Sequence, residues 1–368
     1  MPIFDQGYQH WNGKLASQVW RWWAITRHGV RMQFRSKLTR LCVISCFGPA
    51  LALATFMIIW SLFEQGNTYI KPLIGFILPE ELLNVPEEYR LTVWTLAYHF
   101  FFYIQFFLLM ILVLLVGPNL ISKDIRFNAL PLYLSRPIRR WEYFLGKLGV
   151  ITFFVMLVTA APAVFAWILG VLFSLKFSII IDVLPLLWGS ILVSLMISVV
   201  FGLWMLALSS LTKNSRYVSM MWFGWWLLTN SLWVMLFFAS RFEEWSNLAS
   251  FTKNVQRVEE AILGTESAWK KVDDAYKLTR ELALKKASNL PVPGMNFGRG
   301  NRNNPDKPLP EDYQVLTQRI TVGGKVLVRS SDVRSLYPWY WSAGVLVFMG
   351  VLSLCILMFR VKSLDRLR

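Results

Sequence analysis

Histidine and cysteine are scarce, with three of each in 368 residues. His10, His28 and His99 are scattered, and Cys42, Cys46 and Cys355 fall in apolar stretches without paired spacing. That excludes a histidine-rich metal site and a disulfide framework, so the cysteines read as small apolar packing residues. The phosphate-cradling loop G-x-x-x-x-G-K-[ST] is missing too. Gly324-Lys325 comes nearest, but Arg319 stands where the first glycine belongs and Val326 replaces the hydroxyl residue. Neither H-E-x-x-H nor G-x-S-x-G occurs. The chain is therefore expected to hold no ATP site, metal, cofactor or catalytic constellation of its own.

Charge is the next shortage. Only 16% of residues are charged, against 55% hydrophobic, whereas soluble domains run near a quarter charged. Lys, Arg, Asp and Glu are absent from six windows: 41–63, 91–122, 148–175, 183–212, 217–240 and 335–359. Each exceeds the roughly 20 residues a helix needs to cross the hydrocarbon core. Spanning segments satisfy their own backbone groups, so helices are expected. The fold class that follows is an all-α membrane protein with six transmembrane helices. Without Asp, Glu, Lys or Arg in the spans, ion-coupled transport lacks its usual machinery.

The charges that remain orient the chain. Residues 1–40 hold seven Lys/Arg and one acid, segment 64–90 two and five, segment 123–147 six and two, and residues 360–368 four and one. Lys213 and Arg216 add two more positive charges. Positive short segments alternate with negative or neutral ones. The positive-inside rule then puts both termini, 123–147 and 213–216 in the cytoplasm, and 64–90, 176–182 and 241–334 outside. A multi-pass protein of the cell's inner, cytoplasmic membrane is expected. The net charge of +16 needs no nucleic acid, because basic loops beside anionic lipid headgroups account for it. The first forty residues show no apolar stretch before a small-residue cleavage site, so no secretory signal peptide is expected.

Four regions follow: a cytoplasmic N-terminus at 1–40, helices one to five across 41–240, an extracytoplasmic insertion at 241–334, and helix six with a basic tail at 335–368. Residues 15–41 read as one amphipathic interfacial helix. Val30, Phe34, Leu38 and Leu41 mark its apolar face. Arg27, Arg31 and Arg35 are basic, and Trp20 and Trp23 suit the headgroup layer. In the second span, His99 and Gln105 are polar among aromatics; they either hydrogen-bond near the interface or mark a pathway. The insertion carries apolar or small residues at spacings of three and four from Val255 through Val258, Ile262, Thr265, Trp269, Val272, Tyr276 and Thr279 to Ala283. That reads as a heptad seam on one helix, weakened at Gly264, which must pack on a second copy, a hairpin or a partner. Gly323-Gly324 between Ile320-Thr321-Val322 and Lys325-Val326-Leu327-Val328 reads as a β-hairpin. The insertion is thus expected to be a small α+β unit.

The densest information lies in a polar island between the second and third spans, the loop 122–147. It carries Lys123, Asp124, Arg126, Arg136, Arg139, Arg140, Glu142 and Lys147 around Leu134-Ser135-Arg136-Pro137-Ile138. So specified a loop suggests a docking surface in the aqueous phase. The run from Ile121 to Lys147 resembles the corresponding loop of ABC-2-type transporter permeases. Lys123-Asp124 stands for the family's charged pair, Leu134 with Ser135-Arg136-Pro137-Ile138 for its core, Arg140 for its basic residue and Gly146-Lys147 for its close. Asn128-Ala129 departs from the usual Gly-Thr, although Asn is the best substitute for Gly in a left-handed turn.

The resemblance covers roughly 15–240 and 335–368. It implies a permease that pairs with a second copy or a paralogue and with two cytoplasmic ATPase subunits, which hold ATP and Mg. It further implies that the loop, including Asn128, Ile138 and Glu142, couples ATP hydrolysis to the spans, with residues 15–41 as an elbow helix beside it. Family members are mostly exporters. The alternative is a membrane-anchored scaffold, or another membrane protein, whose outer insertion is the working domain.

Overall fold

The computed structural model describes residues 21–66, 69, 85–129, 139–174, 179–240, 244–288 and 337–364. Among them the secondary structure is helical, with no strand. In chain order the helices are α1 (Arg21–Phe34), α2 (Lys37–Glu64), α3 (Pro86–Val116), α4 (Ser122–Arg126), α5 (Arg140–Val158), α6 (Ala160–Ser174), α7 (Ile179–Leu211), α8 (Ser215–Ala239), a 3₁₀ turn (Glu244–Ala249), α9 (Phe251–Leu263), α10 (Thr265–Ser288) and α11 (Trp339–Leu364). Six segments are long and apolar enough to cross a membrane: α2, α3, α5 with α6, α7, α8 and α11. The chain is a multi-pass membrane protein. The hairpin expected at 320–328 lies outside the described residues.

Local chemistry sets the helix ends. Ser36 caps α2, its hydroxyl accepting from the Thr39 N–H at 3.5 Å. The single helix expected over 15–41 is therefore two, with the break at Arg35-Ser36. Val30 and Phe34 pack on the bundle, whereas Leu38 and Leu41 point out from α2 at 64% and 62% exposure. Pro86 opens α3, followed by Glu87 and Glu88 in the first turn, where the helix dipole favours acids. The third span is broken at Thr159. Pro162 cannot donate to the Val158 carbonyl four residues back. The Gln105 side-chain amide of α3 donates to that carbonyl instead, at 2.8 Å, and the Tyr98 hydroxyl donates to the Ala163 carbonyl at 2.7 Å. Gln105 is fully buried.

The core is aromatic and close-packed. Trp60, Trp94, Tyr98, Phe154, Phe201 and Trp222 are among its largest fully buried side chains. At one end of the bundle lies α4; this end is called the α4 face below. Near the opposite end Arg90 of α3 donates Nε–H to both Glu64 oxygens, at 2.9 and 2.7 Å, and ties α2 to α3.

The insertion departs most from expectation. After α8 the chain folds back along it. Trp233 donates to Asn247 at 2.7 Å, Ser250 to Asn230 at 3.0 Å and Trp226 to Thr252 at 3.1 Å. The Phe251 ring then sits 6.5 Å from Phe106 and 5.3 Å from Phe201. Both are 10 residues from the α4-face ends of their helices (116 − 106 and 211 − 201). From there α9 runs back outward until Leu263 meets Gly189. Gly264, at φ 70°, ends it with a left-handed cap donating to the Glu260 carbonyl, and α10 starts anew. The expected single heptad helix is thus two helices. Its seam packs on the chain's own spans: Val255 and Val258 are buried against them, and Trp269 of α10 meets Phe100 of α3 edge-on.

Candidate functional site

The polar island is built on α4 and the start of α5. Its last eight residues, 140–147, are not loop but the opening turns of α5, started by the Glu142 carboxylate accepting from the Arg139 backbone N–H at 2.8 Å. This extends the third span beyond its apolar window. Leu134, Ser135, Arg136, Pro137 and Ile138 lie outside the described residues.

Two neighbours hold α4, and a third covers the end of α3 before it. On α5, Lys147 Nζ lies 2.6 Å from Asp124 Oδ2, and the Tyr143 hydroxyl donates to the same oxygen at 2.7 Å. Lys147 also stands 5.4 Å over the Tyr143 ring. On α7, the fully buried Ser209 hydroxyl donates to the Pro118 carbonyl at 3.0 Å. The Ser209 Oγ in turn accepts from the backbone N–H of Ile121 and Ser122, at 3.2 and 3.1 Å. These are the donors that a helix N-terminus leaves without intrahelical partners. The Ser122 hydroxyl also bonds the Pro118 carbonyl. From α1, Gln33 donates to the Val116 carbonyl at 3.0 Å, covering the last turn of α3.

Asn128 takes a left-handed backbone, φ 49°, where the resemblance expects glycine. Lys123, Arg126, Arg139 and Arg140 are exposed, and Asp124 and Glu142 half-buried. Arg126 stands 5.7 Å over the ring of Phe127, itself 71% exposed. The anchored residues, Lys147 among them, thus face inward, and Lys123, Arg126, Arg139 and Arg140 face outward.

α1 flanks this region by lying along α5. Thr26 donates to the Gly146 carbonyl at 2.9 Å. A Cβ on Gly146 would come within 2.9 Å of the Trp22 carbonyl, and one on Gly149 within 2.6 Å of the Thr26 hydroxyl. Further along, Phe34 packs 4.9 Å from the Phe154 ring. The contacts advance together, so α1 and α5 run in the same sense. Trp23, Arg27, Arg31 and Arg35 are all exposed on the other side; Trp20 lies outside the described residues.

Sequence reasoning missed one feature. The spans themselves lack charge, but α9 carries Arg257 and Glu259 in among them, at 7% and 3% exposure. Glu259 meets His99 of α3 at 3.1 Å. A scan for charge-free windows passes over α9 because of these very residues. Gln105, paired with His99 in sequence, faces the Val158 carbonyl instead.

A family model described as "ABC-2 family transporter protein" matches residues 23–271. It runs past 240, so it takes in α9 and the first turns of α10 as well as the spans before them. No curated protein matches the chain.

Proposed function

We propose that this chain, which belongs to the ABC-2 transporter family, is the membrane-spanning permease subunit of an ATP-driven exporter. ATP would be hydrolysed on a separate cytoplasmic subunit, present in two copies. That subunit would dock on α4, the 130–138 loop and the start of α5, with α1 beside it as the elbow. The observation that carries this reading is the double anchoring of α4. Asp124 ties it to α5 and Ser209 ties it to α7. A push on the exposed Lys123, Arg126 and Arg139 would reach two spans without passing through a slack loop. Arginines suit forked contacts with acidic side chains and carbonyls of a partner. Energetically, ATP binding would favour one arrangement of the spans over another.

A second permease copy completes the unit in this reading. Support comes from α8, where only Val218, Trp222 and Thr229 are buried, while Met220, Phe223 and Met235 are open.

The test is biochemical. The purified chain should not hydrolyse ATP, because it has no phosphate loop. Activity should appear only with a co-purifying nucleotide-binding subunit. ATP hydrolysis by the isolated chain would refute the assignment.

A further inference from the structure

Glu259 of α9 brings an acid against His99, the one histidine of the second span, inside a bundle whose charge-free windows hold no Asp, Glu, Lys or Arg. His99 Nδ1 lies 3.2 and 3.1 Å from the two carboxylate oxygens. Side-chain exposure is 12% for His99 and 4% for Glu259, so the pair is buried but His99 keeps an open edge. His99 is eight residues (99 − 91) inside the charge-free window that opens at Leu91, roughly 12 Å along the helix at about 1.5 Å per residue. On the same two helices the Phe106 and Phe251 rings lie 6.5 Å apart, so the polar pair sits beside an apolar contact between α3 and α9. A lone carboxylate or imidazolium here would be costly. The two together are neutral overall while they share a single proton between them.

We propose that His99 and Glu259 form a buried proton-binding site whose occupancy fixes α9 against α3. A second proton leaves a net positive charge in the contact, and loss of the shared proton leaves a net negative one. Either charge favours hydration and separation of the two helices. Burial raises the Glu259 carboxyl above the ordinary carboxylate range, against the opposing pull of His99 and helped by nearby Glu260.

The surroundings supply little to compensate: on α10, which packs on α3 beside His99, Lys270, Lys271 and Asp274 are exposed and Asp273 pairs with Lys277. Arg257 on α9 is committed elsewhere: to Glu260 at 3.3 Å, Glu266 of α10 at 3.6 Å and the Tyr337 carbonyl at 3.2 Å. Asp182 of α7 is exposed, Arg90 of α3 is on Glu64, and Arg216 of α8 and Arg360 of α11 belong to the α4-face ends of their helices. The Arg257 tie joins α9 to the chain just before α11, and arginine does not titrate in this range. A proton change therefore loosens α9 on the α3 side only.

The test uses the full chain in lipid nanodiscs. The chain has three histidines, so ¹⁵N-histidine labelling yields three imidazole spin systems. His10→Gln and His28→Gln assign them and leave the pair intact. The expected result is a two-step His99 titration, its steps more than one pH unit apart, unlike an isolated imidazole near ~6.5. Hydrogen exchange over 251–263, corrected for intrinsic rate, should be slowest near pH ~7 and at least about tenfold faster near pH ~5. Glu259→Gln should abolish that pH dependence. A single ordinary His99 titration in the unmodified chain overturns the proposal even if Glu259→Gln fails to fold. So does an α9 exchange rate that ignores pH, or a Glu259→Gln profile identical to wild type.

Discussion

Asp124 on α4 and Lys147 on α5 sit 2.6 Å apart, Nζ to Oδ2, bridging 23 positions of sequence (147 − 124) that include the charged loop. The bond closes the loop at its base.

Breaking that bond should free α4. At 16% and 11% side-chain exposure, the pair lies between the surface and buried regimes. Asp124→Asn should therefore cost about 1–3 kcal/mol in local stability. The expected readout is faster hydrogen exchange across 121–127 with little change in the core of α7. Exchanging the two residues, Asp124→Lys with Lys147→Asp, should recover part of the loss. No recovery would mean that the charges act separately.

Ser209→Ala removes a hydroxyl that serves two backbone donors and one carbonyl. Leaving those buried groups without partners should cost about 1–3 kcal/mol. The effect should appear at the Ile121 and Ser122 amides, 87 or more positions away in sequence, before it appears at Ser209's own neighbours in α7. Unchanged exchange at both amides would remove Ser209 from the account.

Gln105 and Pro162 should be energetically coupled. Gln105→Leu orphans the Val158 carbonyl in an apolar bundle and should cost about 1–3 kcal/mol. Pro162→Ala supplies an N–H that can reach that carbonyl within the helix. The double variant should thus be less unstable than the two single effects added. Simple additivity in thermal unfolding would show that Gln105 does not compensate for the proline.

Orientation is open to direct labelling. In a chain freed of Cys42, Cys46 and Cys355, Asn301→Cys should react with an impermeant reagent added to intact cells. Ser135→Cys should react only after permeabilisation. The charge alternation demands this order, and the reverse would turn the molecule over in the membrane.

Much of this architecture was legible in the sequence, and the illegible part has a common cause. Six charge-free windows became six spans because hydrocarbon tolerates nothing else at such length. The break in the third span was marked by Pro162, but the partner of its freed carbonyl, Gln105, lies 53 positions away. The charged island was conspicuous, yet Ser209, which anchors it, is one of many serines in α7 and carries no local signal. Residues 255–263 kept the periodicity of a heptad seam because a helix buried against its own spans shows the same spacing as one buried against a partner. Only Gly264 hinted at the break. Its positive φ turned a weak point into a helix end, and the charges of α9 concealed that it enters the bundle.

The central claim is that a cytoplasmic ATPase subunit docks where α4 and α5 meet. A photo-crosslinking amino acid at the exposed Arg139 tests it in living cells, with the same group at the exposed Trp341 on the opposite end of the bundle as control. The account predicts an adduct at position 139 whose partner is a nucleotide-binding protein, and none with that protein at position 341. Absence of that adduct at 139, or its appearance from 341, would contradict it.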